Sequence, residues 1–403
     1  MNKQTITGFI LLLCFIISGF SPVFSNPLFP ADPPPELSVA SAVLIDAETG
    51  TVLFSHNPSM VIPLASLTKL MTIHLALRAI NAGTANADDI VALPPETWAE
   101  NQPPRSSLMF LGRNQIVTLG ELLLGLAIPS GNDAAVAVAL HLAPTMEAFI
   151  AMMNAEAGRL GLPSTRFVEP SGFEAENITT AIDFAQFCRW YLMEHPESPG
   201  LLHSRSFFSY PLSVNTGNEP PRTIVQYNRN TLLRDFPGVD GLKTGHIPAA
   251  GYNVALSASQ RETRLIAVIL GAVSEAQRDR DGRALLEWGF ANFKTQRTTV
   301  PFIPETRIWG GREKYAALKL SEDPVFTISS RRAGVLQIDI VVYPGLKAPM
   351  AAGEQAGILT ISDNLGELRV IPLVMEKGVV RGNFFKVFFD TIRLFFLTRF
   401  GST

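Results

Sequence analysis

Strand-like segments stand at both ends of a long helical stretch, and this order admits few folds for the larger part of the chain. Ser41 to Ser55 (SAVLIDAETGTVLFS) reads as two strands joined by a turn at Ala47-Glu48-Thr49-Gly50. Strand character returns at Asn253–Ser259 and Arg264–Leu270, and a helix follows at Arg283–Phe293. Between these ends, helical periodicity runs through Ser66–Ile80, Thr118–Ala127, Asn132–Leu142, Thr145–Leu160 and Thr180–Glu194. A sheet whose first and last strands meet in space, covered by helices, satisfies that order. The segment Ser66–Ile80 is apolar nearly all round (Leu67, Leu70, Met71, Ile73, Leu75, Leu77, Ile80), which predicts a helix buried in the middle of the domain.

Near Thr295 the pattern changes. The strand-like runs Val325–Ser329, Leu336–Tyr343, Gly357–Ser362 and Leu368–Met375 are short and separated by turn signals such as Pro344-Gly345 and Asp363-Asn364. They predict a small all-β domain, sandwich-like, over 295–380, after a larger helix-and-sheet domain over 36–294.

The two termini both carry membrane signals. Lys3, the apolar run Gly8–Phe20 and Val23-Phe24-Ser25 resemble a secretory signal peptide covering residues 1–25, with an uncleaved anchor as the alternative. At the other end, 382–403 predicts an amphipathic helix. Phe384, Phe385, Phe388, Phe389, Ile392, Phe395, Phe396 and Phe400 share a broad stripe, and Lys386, Asp390, Arg393 and Arg399 lie opposite. Such a helix suits the headgroup interface of a membrane; packing on the protein's own core is the alternative.

Composition narrows the function classes. Apolar residues make up 47% and charged residues 17%, enough for a large core and unlike a disordered chain. Lys and Arg number 33 against 36 Asp and Glu, so the basic excess of a nucleic-acid binder is lacking. With only Cys14 and Cys188, neither a disulfide framework nor a thiolate zinc cluster can be built. The six histidines show no metallohydrolase spacing, and no metal or organic cofactor is expected. Cys188 and His74 sit in apolar helical runs and read as packing residues. No Gly-x-Ser-x-Gly elbow exists, so an α/β-hydrolase triad has no anchor.

Three short motifs remain, and their order carries more than any one of them. In Ser66-Leu67-Thr68-Lys69 a spacing of three puts the Lys69 amine on the helical face of the Ser66 hydroxyl. A lysine desolvated there can lose its proton near neutral pH and take the serine's. Ser130-Gly131-Asn132 lies in the turn between two helices, and Lys243-Thr244-Gly245 heads a strand pattern after the glycine-rich Phe236–Gly241. In this order they form a set with a known mechanism.

The chain resembles the D-alanyl-D-alanine carboxypeptidases, the low-molecular-mass penicillin-binding proteins of the type-5 kind. The stretches that carry the likeness are Ala65–Thr72, Ser130–Ala134, Lys243–His246 and Ala250-Gly251-Tyr252-Asn253. The resemblance implies an α/β (α+β) catalytic domain of the serine β-lactamase/transpeptidase type, an antiparallel sheet with helices on both faces. It implies Ser66 as nucleophile, Lys69 as general base, Ser130 as proton relay and Asn132 as a partner of Lys69 and of a substrate amide. Lys243, Thr244 and Arg278, with Arg280 as fallback, would face the substrate carboxylate, and Gly245 would let the substrate backbone approach closely. The backbone N–H groups of Ser66 and His246 would form the oxyanion hole. The expected partners are peptidoglycan pentapeptide stems, β-lactams and, through the tail, a membrane surface at the periplasmic side. A β-lactamase or a DD-endopeptidase on the same scaffold is the alternative; the extra deacylating element of class A β-lactamases is not visible. Two departures stand out: Glu169-Pro170-Ser171-Gly172-Phe173 replaces the family's frequent Asn-Pro-His-Gly-Leu, and Ile247 follows His246 where threonine is frequent. Both are expected to border the groove.

Overall fold

The structure, a computed structural model, describes residues 32–113, 115–212, 222–332, 335–363 and 366–400. The signal segment 1–25, with Cys14, lies outside the described residues.

Strands β1 (Ser41–Asp46) and β2 (Val52–His56) form the early hairpin. They join β3 (Val239–Ile247), β4 (Gly251–Gln260) and β5 (Thr263–Ala272) in one sheet of order β2-β1-β5-β4-β3. All pairs are antiparallel, and Ser41 opposite Leu270 sets the register that brings first and last strands together. Alternate residues face alternate sides, and both sides are buried. Val43, Ile45, Ile266, Val268 and Leu270 point into the larger core. Ala42, Leu44, Leu265, Ala267 and Ile269 point into the smaller one.

The larger core is closed by α1 (Lys69–Asn81), α2 (Leu119–Ala127), α3 (Asn132–Leu142), α4 (Met146–Arg159) and α5 (Ala181–Glu194). A capping box between Thr118 and Glu121 starts α2, and the Thr145 and Thr180 hydroxyls cap α4 and α5. Helix α1 is buried from Lys69 to Ala76, as its all-round apolarity predicts. The opposite side of the sheet is covered by α6 (Glu275–Asn292) through Leu285, Leu286 and Trp288.

Two boundaries differ from the sequence reading. Helix α6 starts at Glu275 behind its Ser274 cap, not at Arg283. Its first turns carry Glu275, Arg278, Asp279, Arg280 and Asp281, so they show no apolar stripe to read. Lys243-Thr244-Gly245 falls in the second half of β3, not at its head. Of the glycines before it, Gly238 sits in the turn ahead of β3 at φ +92°, and Gly241 lies within the strand, where a Cβ would meet the His203 Cβ at 2.9 Å.

The β-rich part follows α6 without a linker. Strand β6 (Phe293–Arg297) pairs with β8 (Val325–Ser329). Strands β7 (Leu318–Leu320), β9 (Gln337–Val342), β10 (Gln355–Asp363) and β11 (Gly366–Met375) form a second sheet of order β7-β11-β10-β9. Phe326 and Ile328 from the first sheet pack on Leu359, Ile361 and Ile371 of the second. The fully buried Asp46 of β1 ties this part to the catalytic sheet, accepting from the Thr295 and Thr327 hydroxyls at 2.8 Å each. Burial pushes its carboxyl pKa upward despite those bonds.

Helix α7 (Phe384–Phe400) rests on the β-rich part by its polar side. Asp390 accepts from Arg307 at 2.7 Å and from the Gly310 N–H at 3.0 Å, and Lys386 donates to the Arg312 carbonyl at 2.7 Å. Leu394 is buried beneath, while Phe384, Phe385, Phe388, Phe389, Ile392, Phe395 and Phe396 are 41–76% exposed. The helix therefore docks in the sense opposite to a core helix. Of the four charges grouped opposite the aromatic stripe, Lys386 and Asp390 face the protein and Arg393 and Arg399 stay exposed. Among the described residues no single helix is long and apolar enough to cross a membrane.

Candidate active site

The three motifs converge on one cleft. A turn of 3-10 helix, Ala65–Thr68, leads into α1 and carries Ser66 at the cleft floor. Ala65 is held at φ +50°, an uncommon conformation for a residue with a Cβ, immediately before the serine. The buried Asn253 pins this turn to the sheet, donating to the Pro63 carbonyl at 2.9 Å and accepting from the Gly271 N–H at 2.8 Å. Gly245 of β3 packs on the same turn, and a Cβ there would lie 3.0 Å from the Ser66 nitrogen.

Lys69 is wholly buried, and its Nζ sits 3.1 Å from Ser66 Oγ, 2.7 Å from Asn132 Oδ1 and 2.6 Å from the Ser171 carbonyl. Burial lowers its pKa to about 7, and Arg229 pushes the same way; the negative charges of Glu169 and Asp133 oppose them. Asn132 also donates to Ser106 Oγ at 3.2 Å. Ser130, at φ +68° and 2% exposed, has a hydroxyl with no hydrogen-bond partner among the described residues. Asp133 is buried, and burial raises its pKa; it accepts from the Met109 and Leu111 N–H groups and so holds the wall that carries Ser106 and Ser107.

On the other wall, β3 is the edge strand of the sheet, so its outward backbone groups have no strand partner. Lys243 is buried and donates to the Thr244 carbonyl at 3.0 Å. Burial pulls its pKa well down, assisted by Lys69, Arg229 and Arg278. Thr244, Gly245 and His246 line the cleft, and His246 stacks on Tyr252 with ring centroids 4.0 Å apart. Arg278, in the first turn of α6, lines it too. Its guanidinium is gripped by Asp279 at 2.8 Å and Glu275 at 3.1 Å. Arg280 instead bonds Gln277 on the surface, away from the cleft.

The cleft measures about 450 Å³. A larger hollow of about 760 Å³, between the end of α6 and β6, contains none of the motif residues. Every residue of the three motifs, with His246 and Arg278, thus lies in or directly beneath one cleft, and the fallback Arg280 does not. Arg229 also lines it and was not singled out; it follows the strand Arg222–Tyr227 and has no local signature. The two departures do not border the groove. Ser171 is buried behind Lys69, and Ile247 is not among the lining residues. His74 bonds His195 at 3.0 Å and Glu156 at 2.8 Å in a buried cluster bracketed by Arg78 and Arg159. Cys188 is buried, which pushes its thiol pKa upward.

A serine beside a desolvated lysine, a second serine and asparagine opposite, and a Lys-Thr-Gly edge strand on a helix-covered antiparallel sheet define a serine acyl-transfer enzyme of the penicillin-interacting class. Comparison with known proteins gives the family. Residues 29–274 match the D-alanyl-D-alanine carboxypeptidase family, and residues 298–381 match the penicillin-binding protein 5 C-terminal domain. The chain is 34% identical to D-alanyl-D-alanine carboxypeptidase DacD of Salmonella typhimurium, over 92% of this chain and 95% of that one. It is 32% identical to DacA of Escherichia coli, over 91% and 90%. Among solved structures, penicillin binding protein 5 from Haemophilus influenzae superposes with a TM-score of 0.78 at 31% identity, covering 87% of this chain and all of that one. Penicillin binding protein 6B from Escherichia coli gives 0.71 at 32% identity, covering 87% and 98%. The chain belongs to the D-alanyl-D-alanine carboxypeptidase family and is a serine-type carboxypeptidase of the type-5 penicillin-binding kind.

Proposed function

We propose that Ser66 is the nucleophile and Lys69 its general base, in an exported enzyme that removes the terminal D-alanine from peptidoglycan stem pentapeptides. The supporting observation is the hydrogen-bond arithmetic at Lys69. A neutral amine keeps two N–H donors, and the Asn132 and Ser171 carbonyls take both at 2.7 and 2.6 Å. The remaining lone pair then faces the Ser66 hydroxyl at 3.1 Å, ready to accept its proton.

Acylation follows. Ser66 Oγ attacks the carbonyl carbon of the penultimate D-alanine as its proton passes to Lys69. The Ser66 and His246 N–H groups steady the developing oxyanion, an effect of about 3–4 kcal/mol per donor in related chemistry. The Ser130 hydroxyl, without a hydrogen-bond partner among the described residues, passes a proton to the departing D-alanine nitrogen. Asn132 holds Lys69 and meets a substrate amide. Thr244, Lys243, Gly245 and Arg278 receive the terminal carboxylate, with Arg229 adding positive charge at the same end of the cleft. Water releases the acyl-enzyme. Penicillins acylate the same hydroxyl, because they offer a carbonyl and a carboxylate in similar relation.

The chain divides into a signal over 1–25, a catalytic domain over 36–294, a β-rich domain over 295–380 and an anchoring helix over 382–403. The outward aromatic face of α7 supports seating in a headgroup layer at the periplasmic face of the membrane. Mass spectrometry of the penicillin-treated protein tests the assignment: one adduct on the peptide carrying Ser66 is expected, and an adduct elsewhere refutes it. Rapid steady turnover of penicillin, in place of a stoichiometric burst, would make the protein a β-lactamase.

A further inference from the structure

The loop 169–173 touches the catalytic lysine from behind, and one acidic side chain folds it. Glu169 Oε2 accepts from the Ser171 N–H at 2.7 Å, and Oε1 accepts from the Phe173 N–H at 2.9 Å. The Gly172 N–H and Asn177 Nδ2 also donate to Oε1. An ionised carboxylate offers about four acceptor sites; three of these donors gather on Oε1 and one meets Oε2. The loop is also pressed against the turn that carries the nucleophile. Gly172 has a φ of +82°, and a Cβ there would lie 1.7 Å from the Ala65 carbonyl oxygen. Thr72 of α1 donates to the Pro170 carbonyl at 2.7 Å, and Lys69 donates to the Ser171 carbonyl at 2.6 Å.

We propose that Glu169 is a positioning residue for the acylation step: its carboxylate folds the 169–173 loop so that the Ser171 carbonyl holds the Lys69 amine against Ser66. It does not act as the deacylating base, because both its oxygens are turned onto N–H groups of its own loop and Glu169 is not among the residues that line the cleft. A second consequence is electrostatic. Lys69 is faced by the acids Glu169 and Asp133 and by the cations Arg229 and Lys243. The charge of Glu169 favours the protonated amine, so its removal makes Lys69 easier to deprotonate.

This inference rests on the assignment of Lys69 as the base. That assignment is tested first, in the unaltered protein, by an ionisation near pH 7 that controls acylation. E169Q then tests the inference, because a glutamine cannot accept at both ends of its amide. The expected result is a fall in the acylation rate by a chromogenic penicillin of about ten- to hundredfold, the scale of a small misplacement. Its acid limb should also move to lower pH. T72V, which loosens the same loop and leaves every charge in place, should lower the rate with the limb unmoved. Should E169Q fail to fold, E169D keeps the charge and should lower the rate on the original limb. An unshifted profile in E169Q, a normal rate in both Glu169 variants, or normal acylation with blocked deacylation each overturns the inference.

Discussion

Lowering the pH should switch off acylation through Lys69. The amine is wholly buried, and its pKa falls from 10.5 to about 7. At about 1.4 kcal/mol per unit, holding it neutral costs roughly 5 kcal/mol relative to an exposed lysine. A base must be deprotonated, so the rate should follow the neutral fraction. Below about 7 it should drop about tenfold per pH unit, reaching about a hundredfold two units lower. Rapid mixing with a chromogenic penicillin measures this directly, free of product release. Stability carries the same signature. Between about 7 and 10.5 the unfolded chain holds a proton that the folded one lacks, so unfolding free energy should rise with pH across that window. Lys69→Met should abolish acylation and remove Lys69's share of that rise, leaving the share of the similarly buried Lys243. A rate that stays level two units below 7, or a methionine variant acylated within tenfold of the original, refutes the reasoning.

Arg278→Ala should lower kcat/KM for a D-alanyl-D-alanine peptide by about tenfold to a hundredfold, the value of a lost charge-assisted bond, and leave a substrate lacking the terminal carboxylate little changed. Equal losses on both substrates would remove Arg278 from carboxylate recognition. Gly172→Ala should cost about 2–5 kcal/mol in denaturant unfolding, from left-handed backbone and overpacking against Ala65; an unchanged midpoint would contradict the close approach. A chain ending near Val380 should remain in the supernatant with vesicles of anionic lipid and keep its activity on a small peptide, whereas the full chain sediments. Asp46→Ala should destabilise by about 2–3 kcal/mol, because the Thr295 and Thr327 hydroxyls lose a buried acceptor; calorimetry should show the loss.

The chemistry was legible where it demands fixed spacing. Ser66 and Lys69 must share a helical face, and Ser130 and Asn132 must flank one turn, so both pairs are written locally. The sheet was legible because β1 and β5 are apolar segments bounded by turns. Arg229 was not legible, since only the fold brings it beside residues far away in the chain. Glu169 read as a departure, and nothing in its neighbours says that its carboxylate turns back onto its own loop. The start of α6 was hidden because its first turns are charged, with only Glu275 and Arg278 reaching the cleft. For α7, periodicity sorted the faces but could not say which one docks; the clasp of Asp390 by Arg307 and Gly310 decides that.

The central place of β1 in its sheet has a kinetic consequence. Its partner β5 is translated after all five helices of the larger core, so strand pairing must wait roughly 10–40 s at ordinary synthesis rates. High contact order slows folding further once the chain is complete. During that delay a segment greasy on both sides has only its hairpin partner β2 beside it, which keeps the nascent polypeptide loose enough to thread through a translocation pore. The same delay makes it a target for holding chaperones, and a hazard when the protein is overproduced without a route out of the cytosol.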